Sequence, residues 1–240
     1  MHEIRADGMS AESCRIRTEY RRRALAVDSD LYAPWQPAET FMRAGRERLA
    51  SQMLKEAKVF PRPDDKCLEV GYGRLGWLGT LISWGLRESG LAGIELDETR
   101  AKVAQSALPG ADLRVGDASA LPWSDGSFQL VVCSTVFTSI LDLGMRQRIA
   151  DEITRVLAPG GAMLWYDFRF NNPRNKNVRK VSRPELFRLF SKLTGTARSA
   201  TLAPPLTRVL APRGWALASV LESIAPLRTH LVGVFIKITG

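Results

Sequence analysis

The residues best suited to chemistry stand in three groups, each at the end of a short apolar run. The first is Leu68-Glu69-Val70-Gly71-Tyr72-Gly73-Arg74-Leu75-Gly76. Glycines at such a turn let a ligand approach the backbone closely and leave amide groups pointing outward. Gly71, Gly73 and Gly76 satisfy G-x-G-x-x-G, so this string alone suits a nicotinamide dinucleotide as well as other nucleoside cofactors. The second group is Gly93-Ile94-Glu95-Leu96-Asp97, placed about 20 residues after the glycine turn, where a ribose carboxylate belongs. A carboxylate accepts two hydrogen bonds without rearrangement, which suits a vicinal diol. The competing reading makes such acids helix caps, and Asp97, which begins a helical pattern, suits that role better than Glu95. The third group is Val115-Gly116-Asp117-Ala118. It is followed by Leu121-Pro122-Trp123, by Asp125-Gly126-Ser127-Phe128, and later by Arg155-Val156-Leu157-Ala158-Pro159-Gly160-Gly161.

These groups need a scaffold that brings strand ends together. From Cys67 onward, short apolar runs alternate with longer amphipathic ones, the mark of a parallel sheet with crossover helices. The pattern predicts strands over Lys66–Val70, Leu91–Glu95, Asp112–Val115, Phe128–Cys133, Ala162–Phe168, 196–202 and His230–Ile238. The last enters late, as an edge hairpin partner. Helices are predicted over 75–88, 97–107, 142–157 and 184–193, with Pro159-Gly160-Gly161 as a stop signal. Helical segments then run to about 225, with Pro212 splitting or kinking them. Residues 14–28 and 38–57 read as two further helices, joined by the turn-prone segment Asp28–Pro37.

The ordered set of glycine turn, acidic strand end, G-D-A, L-P-W, D-G-S-F and R-V-L-x-P-G-G resembles the class I S-adenosylmethionine-dependent methyltransferases, over roughly residues 60–168. Within them it is similar to the branch of quinone-biosynthesis and related small-molecule enzymes. The resemblance implies an α/β, Rossmann-like, seven-stranded, mostly parallel sheet with helices on both faces, the last strand antiparallel and an N-terminal helical lid. It divides the chain into a cap over residues 1–60 and a methyltransferase domain over 61–240. It implies S-adenosyl-L-methionine as cofactor, with Glu69, Gly71 and Gly73 lining its methionine part and Glu95 on the ribose. Asp117 takes the adenine amino group with Ala118 alongside, and Ser134 and Thr135 face the methionine and the acceptor. Leu75 stands where the family commonly has glycine, and Tyr72 where it has a small residue. The branched Leu75 side chain would either crowd the cofactor or shift its pose, unless Gly76 after it lets the loop turn sharply.

The acceptor side is carried by Trp165-Tyr166-Asp167-Phe168-Arg169-Phe170-Asn171-Asn172-Pro173-Arg174-Asn175, which follows the fifth strand. Strand ends on this edge of an open α/β sheet face the ligand crevice. Hydrogen-bonding and basic groups there suit a hydroxylated or anionic acceptor, and this part is loosely similar to bacterial methyltransferases of sugar and polysaccharide pathways. If the acceptor is a hydroxyl, a general base helps remove its proton. Asp167 and Tyr166 are the candidates, with His230 third and His2 assigned to the terminus. Arg169 and Asn172 are candidate substrate contacts. Tyr32 and Trp35 are further ones, on a segment that either folds over the cofactor or staples the helices to the sheet. The expected reaction is O-methylation of a sugar-like metabolite. C- or N-methylation of a quinone-like ring or amine, and a non-catalytic protein of the same fold, are the alternatives.

Composition sets the outer bounds. The 240 residues fit one α/β domain or one with a small cap. No apolar run approaches the roughly 18 residues of a membrane span, and the segment from Met1 to Tyr20 is polar. Cys14, Cys67 and Cys133 show neither metal spacing nor a disulfide framework, so no metal and a reducing cytoplasm are expected. A net charge of +9 favours an anionic partner or surface, such as a phosphorylated acceptor or the face of a membrane. It concentrates in 15–23, with five arginines, and in 169–183, with six basic residues and no acid. A solvated basic face explains both stretches equally well. Without regular aromatic interleaving or a zinc-finger or RNP signature, nucleic acid is not expected.

Overall fold

The computed structural model describes residues 10–26, 29–173 and 175–238. His2, Asp28 and Arg174 lie outside them. Seven strands form one sheet: β1 (Cys67–Val70), β2 (Leu91–Glu95), β3 (Asp112–Val115), β4 (Phe128–Ser134), β5 (Leu157–Phe168), β6 (Leu193–Leu202) and β7 (Arg228–Lys237). Their order across the sheet is β3-β2-β1-β4-β5-β7-β6. β1 to β5 pair in parallel, and β7 runs antiparallel to both β5 and β6. β7 does pair with β6 as a hairpin, but it does not take the edge. It inserts between β5 and β6 and leaves β6 outermost. Its inner residues, His230 to Phe235, are buried as a strand with two neighbours requires.

Helices cover both faces. α1 (Ala11–Ala26), α5 (Leu143–Val156) and α6 (Arg183–Leu189) lie on one; α2 (Pro37–Glu56), α3 (Leu78–Ser83) and α4 (Glu98–Ala107) lie on the other. β1 and β2 are buried along their whole length, as parallel strands covered on both sides are. Ile16 of α1 shares one core cluster with Ile94, Val131 and Ile149, while Ala50, Met53 and Leu54 of α2 share the other with Leu78, Leu130 and Leu164. The two N-terminal helices therefore belong to opposite layers of the sheet. α7 (Pro204–Leu210) and α8 (Trp215–Ser223) pack on the first turns of α2, where Ala38 and Phe41 meet Leu202, Ala211 and Ala218.

Two elements depart from the sequence pattern and a third, the split helical region, follows it. α3 has six residues, because Gly76 and Gly85, with φ of 51° and 98°, bound it. β5 starts at Leu157, five residues before the expected Ala162. Pro159-Gly160-Gly161 is a bulge inside the strand, with the register to β4 shifting between Phe128 and Leu130. The last helical region is split at Pro212 by a 3-10 turn, Ala211–Arg213, and Gly214 at φ 147°.

Candidate functional site

The site is built at the carboxyl ends of β1 to β5. The chain leaves β1 through Gly71, Gly73 and Gly76, all in the left-handed region at φ of 73°, 60° and 51°. A Cβ at Gly71 would come within 2.5 Å of Val136 Cγ2, and one at Gly76 within 2.2 Å of Glu69 Oε1, so the turn admits no side chain at either position. Glu69 is buried and accepts from the amides of Trp77 and Leu78 at 2.8 to 3.0 Å. Those amides open α3 and have no partner within the helix. Burial pushes the Glu69 carboxyl up to about 8, against the lowering effect of these hydrogen bonds and of Arg46. At the end of β2, Glu95 accepts from the Gly73 amide at 2.7 Å and the Asp97 amide at 3.0 Å. It thereby fixes the glycine turn against the second strand. Asp97 caps α4 through the Arg100 amide at 3.0 Å.

Between Glu95 and Asp117 lies a narrow pocket open to solvent, walled by Ile94, Leu96, Ala118, Ile140, Met145 and Ile149. Asp117 accepts from the Ser119 amide at 2.8 Å and from the Ser13 hydroxyl of α1. Ile16 and Tyr20 of the same helix complete the wall. α1 is fastened in its first turns and at its middle. The Glu12 carboxylate takes the Leu141 and Asp142 amides, Arg15 donates to the Ser139 carbonyl at 2.6 Å, and Asn177 donates to Glu19 at 2.8 Å. Tyr20 lies 4.6 Å beneath the Arg100 guanidinium. The covering element over the pocket is therefore α1. Tyr32 and Trp35 do not line this pocket; they stand at the surface, 51% and 70% exposed.

Neither departure from the family pattern intrudes. Leu75 turns onto α3, its Cδ2 lying 3.3 Å from where a Gly79 Cβ would stand. Tyr72 is fully buried and runs under β2, with its hydroxyl donating to the Arg114 carbonyl at 3.2 Å. A Cβ on Gly93 would come within 2.4 Å of the Tyr72 ring, so these two residues fit only as a pair.

At the other end of the site Ser134 closes β4 opposite Tyr166, and Thr135 bends away at φ 55° with its amide donating to the Tyr166 carbonyl at 2.7 Å. Left-handed backbone at a β-branched residue is strained. The Asp167 carboxylate accepts from the Thr138 amide at 3.0 Å, the Thr138 hydroxyl and the Phe168 amide at 2.8 Å, with the Phe137 amide also beside it. A carboxylate has about four acceptor sites, so these donors occupy most of those on Asp167. It is 1% exposed, and burial pushes it up to about 7. The expectation of Asp167 as a base meets a residue that clamps the turn Phe137–Ser139, which carries the pocket wall at Ser139 and Ile140.

Arg146 supports that wall from below. Its guanidinium is fully buried on α5 and donates to the carbonyls of Ile140, Arg179 and Lys180 and to Glu185 at 2.7 Å. The basic stretch 169–183 is thus folded back onto the site through its carbonyls. An arginine within the apolar stripe Met145, Ile149, Ala150 and Ile153 was the sequence signal for this post, since a buried charge needs fixed partners.

Tyr166 leads to a second cluster, under α2. Its hydroxyl shares a 2.8 Å hydrogen bond with Thr201, and His230 stacks on its ring at 4.7 Å and 5°. Burial and the Arg46 charge push His230 down to about 3, so it is neutral. Burial pushes Tyr166 up to about 12. The Arg46 guanidinium lies over the rings of Trp77 and Tyr166 at 5.3 and 5.6 Å. Arg46 Nε and Trp77 Nε1 are both buried and without a hydrogen-bond partner among the described residues. Arg169 instead faces a separate, open depression with Arg183 and Arg228, and Asn172 is exposed on the loop after β5.

Residues 68–165 match the family described as "Methyltransferase domain". The chain is 32% identical over 115 residues to a phthiotriol/phenolphthiotriol dimycocerosates methyltransferase of Mycobacterium ulcerans, covering 45% of this chain and 39% of that one. It is 27% identical over 161 residues to the demethylmenaquinone methyltransferase of Mycolicibacterium vanbaalenii, covering 67% of this chain and 65% of that one. The chain thus spans less than two thirds of either relative. The geranyl diphosphate C-methyltransferase of Streptomyces coelicolor A3(2), at 17% identity, shares the fold with a TM-score of 0.59 over 80% of this chain and 76% of its own. Residues 68–165 thus match a methyltransferase domain, and the glycine turn, the acidic end of β2 and the G-D-A after β3 converge on one pocket, the arrangement that the resemblance to class I S-adenosylmethionine-dependent methyltransferases implies.

Proposed function

We propose that the chain transfers the methyl group of S-adenosylmethionine to a hydroxyl of a small acceptor that carries an anionic group. The pocket residues suit the cofactor. Apolar walls at Leu96 and Ala118 suit a purine, and Glu95 and Asp117 each spend two of about four acceptor sites, leaving others for ribose hydroxyls and an adenine amino group. Gly71, on the pocket wall, gives backbone access to the methionine end, while the open face of Gly73 is covered by the Arg100 guanidinium. When bound, the cofactor supplies a methyl group made electrophilic by the sulfonium, and the protein's share is placement and exclusion of water. α1 closes the adenine side as a lid, while α2, the other helix of the expected 1–60 cap, packs into the opposite layer as part of the domain. On the acceptor side Tyr166 orients the acceptor through its hydroxyl, and Asp167 positions the wall through Thr138.

One observation carries the anionic acceptor: the two buried, unpaired N–H donors of Arg46 and Trp77 beside Tyr166. Buried donors left unpaired cost free energy, and a carboxylate or phosphate oxygen would satisfy both. The test is transfer from labelled S-adenosylmethionine to phosphorylated and neutral sugars, a quinone-like ring and amines, with wild type and Arg46→Met. Methylation of a phosphorylated or carboxylated alcohol, with KM raised in Arg46→Met and cofactor binding unchanged, bears the proposal out. Loss of cofactor binding in that variant would give the arginine to the cofactor's own carboxylate. Transfer to the ring or the amine alone would replace O-methylation by C- or N-methylation, a reading favoured by the relative named for demethylmenaquinone.

A further inference from the structure

α8 contradicts the usual rule for apolar helices. Trp215-Ala216-Leu217-Ala218-Ser219-Val220-Leu221 is apolar almost all round, and such a helix is normally buried. Here Ala218 is the one buried residue, and Leu217 and Val220 are 53% and 62% exposed. Leu206, Val209, Trp215 and Ile224 extend the exposed apolar surface over α7 and past α8. Trp35 stands just before the end of α2 whose Phe41 packs edge-on against Trp215 at 5.6 Å. The exposed charges on the α7–α8 segment itself are of one sign. Residues 186–240 contain seven Lys and Arg and a single carboxylate, Glu222, which is turned inward to accept from the Leu202 amide at 3.3 Å. Arg208 and Arg213 are exposed on the same hairpin, with no ion-pair partner among the described residues.

We propose that the α7–α8 hairpin docks the protein on the surface of an anionic lipid bilayer. A second copy of the chain would set unpaired arginines against arginines, with no exposed carboxylate on this hairpin to relieve them. Anionic headgroups supply the missing countercharge, while the apolar side chains enter the region between headgroups and acyl chains. Tryptophan prefers that interface, its ring apolar and its N–H wet. No helix of the described residues is long and apolar enough to cross a membrane, so the contact lies on the surface. Thr201, which holds the Tyr166 hydroxyl, precedes α7 by three residues and places the acceptor cluster at the docked end of the sheet. The docking stands apart from the choice of acceptor.

Flotation of the full chain with vesicles of phosphatidylcholine, alone or mixed with equal phosphatidylglycerol, tests it. Wild type floats with the mixed vesicles, and added salt weakens the association. Arg208→Ser and Arg213→Ser each weaken it by about fivefold, and Leu217→Glu with Val220→Glu by roughly tenfold or more. Thermal unfolding of these exposed variants stays as in wild type. Wild type left at the bottom with mixed vesicles overturns the proposal. So does flotation unchanged by Leu217→Glu with Val220→Glu, which would move the contact to another basic surface. A wild-type dimer that this double variant splits, without flotation, gives the face to a second copy instead.

Discussion

Replacing Arg146 by methionine probes how the pocket wall is held. Methionine has a similar length and no charge, so it fills the volume but removes five donors at once. In the structure those donors serve Glu185, at 2.7 Å and nearly buried, and the carbonyls of Ile140, Arg179 and Lys180 at 2.8 to 3.4 Å. Removing one partner of a buried ion pair costs about 3–5 kcal/mol, because the other is left charged and desolvated. In a chain of this length that corresponds to a fall in melting temperature of roughly 10 °C. Arg146→Lys should recover little, since a point charge cannot reach groups spread around a planar fork. Arg146→Met with Glu185→Leu should recover part of the loss, as it leaves no orphan carboxylate. Urea unfolding with fixed m-value measures all three. A cost below about 1 kcal/mol for Arg146→Met would refute the reasoning, because the post would then carry no strain that solvent could not relieve.

Three further outcomes follow from the same geometry. Gly71→Ala should cost about 1–3 kcal/mol in unfolding free energy and weaken S-adenosylhomocysteine binding, since its Cβ meets Val136 on the pocket wall; a variant as stable as wild type would show that the turn relaxes. Leu75→Gly should leave cofactor affinity within about twofold, because that side chain lies on Gly79, outside the pocket; a clear gain on calorimetry would restore the crowding idea. Burial raises Asp167 to about 7 and Glu69 to about 8, so the folded state keeps protons that the unfolded chain has released above the ordinary carboxylate range. Their contribution to stability is complete below that range and is lost as pH rises through 7 and 8. Thermal midpoints should therefore fall from about pH 5 to about pH 8 and level off above, and Asp167→Asn should flatten the slope. Asp112 and Glu152, lowered by hydrogen bonds from Arg114 and Arg155, act in the opposite sense and at lower pH.

The sheet was legible because its strands carry their signal locally. β2 and β3 fall on the predicted residues, and β1 within one, since runs such as Leu91–Glu95 are bounded by turn residues and buried on both faces. The failures are places where a local sign has a tertiary meaning. Pro159-Gly160-Gly161 looks like a stop, but β4 lies beside it and turns it into a bulge. Gly85 cuts α3 short in the middle of an amphipathic pattern. In the site, Glu95 and Asp117 converge because both end parallel strands. The partner of Asp117, Ser13, lies 104 residues away on α1, and no spacing rule connects them. Arg146 and Arg46 were findable, as charged residues within the buried stripes of their helices. Their partners were not, because backbone carbonyls and ring faces leave no mark in the sequence.

The most direct test is calorimetric titration of the purified chain with S-adenosylhomocysteine, beside Glu95→Ala and Asp117→Ala. Wild type should bind at about micromolar strength, and each variant should lose about 1–3 kcal/mol, roughly a 5- to 150-fold weakening. No binding by a folded wild type, or variants that bind as it does, would contradict a cofactor pocket between these two carboxylates.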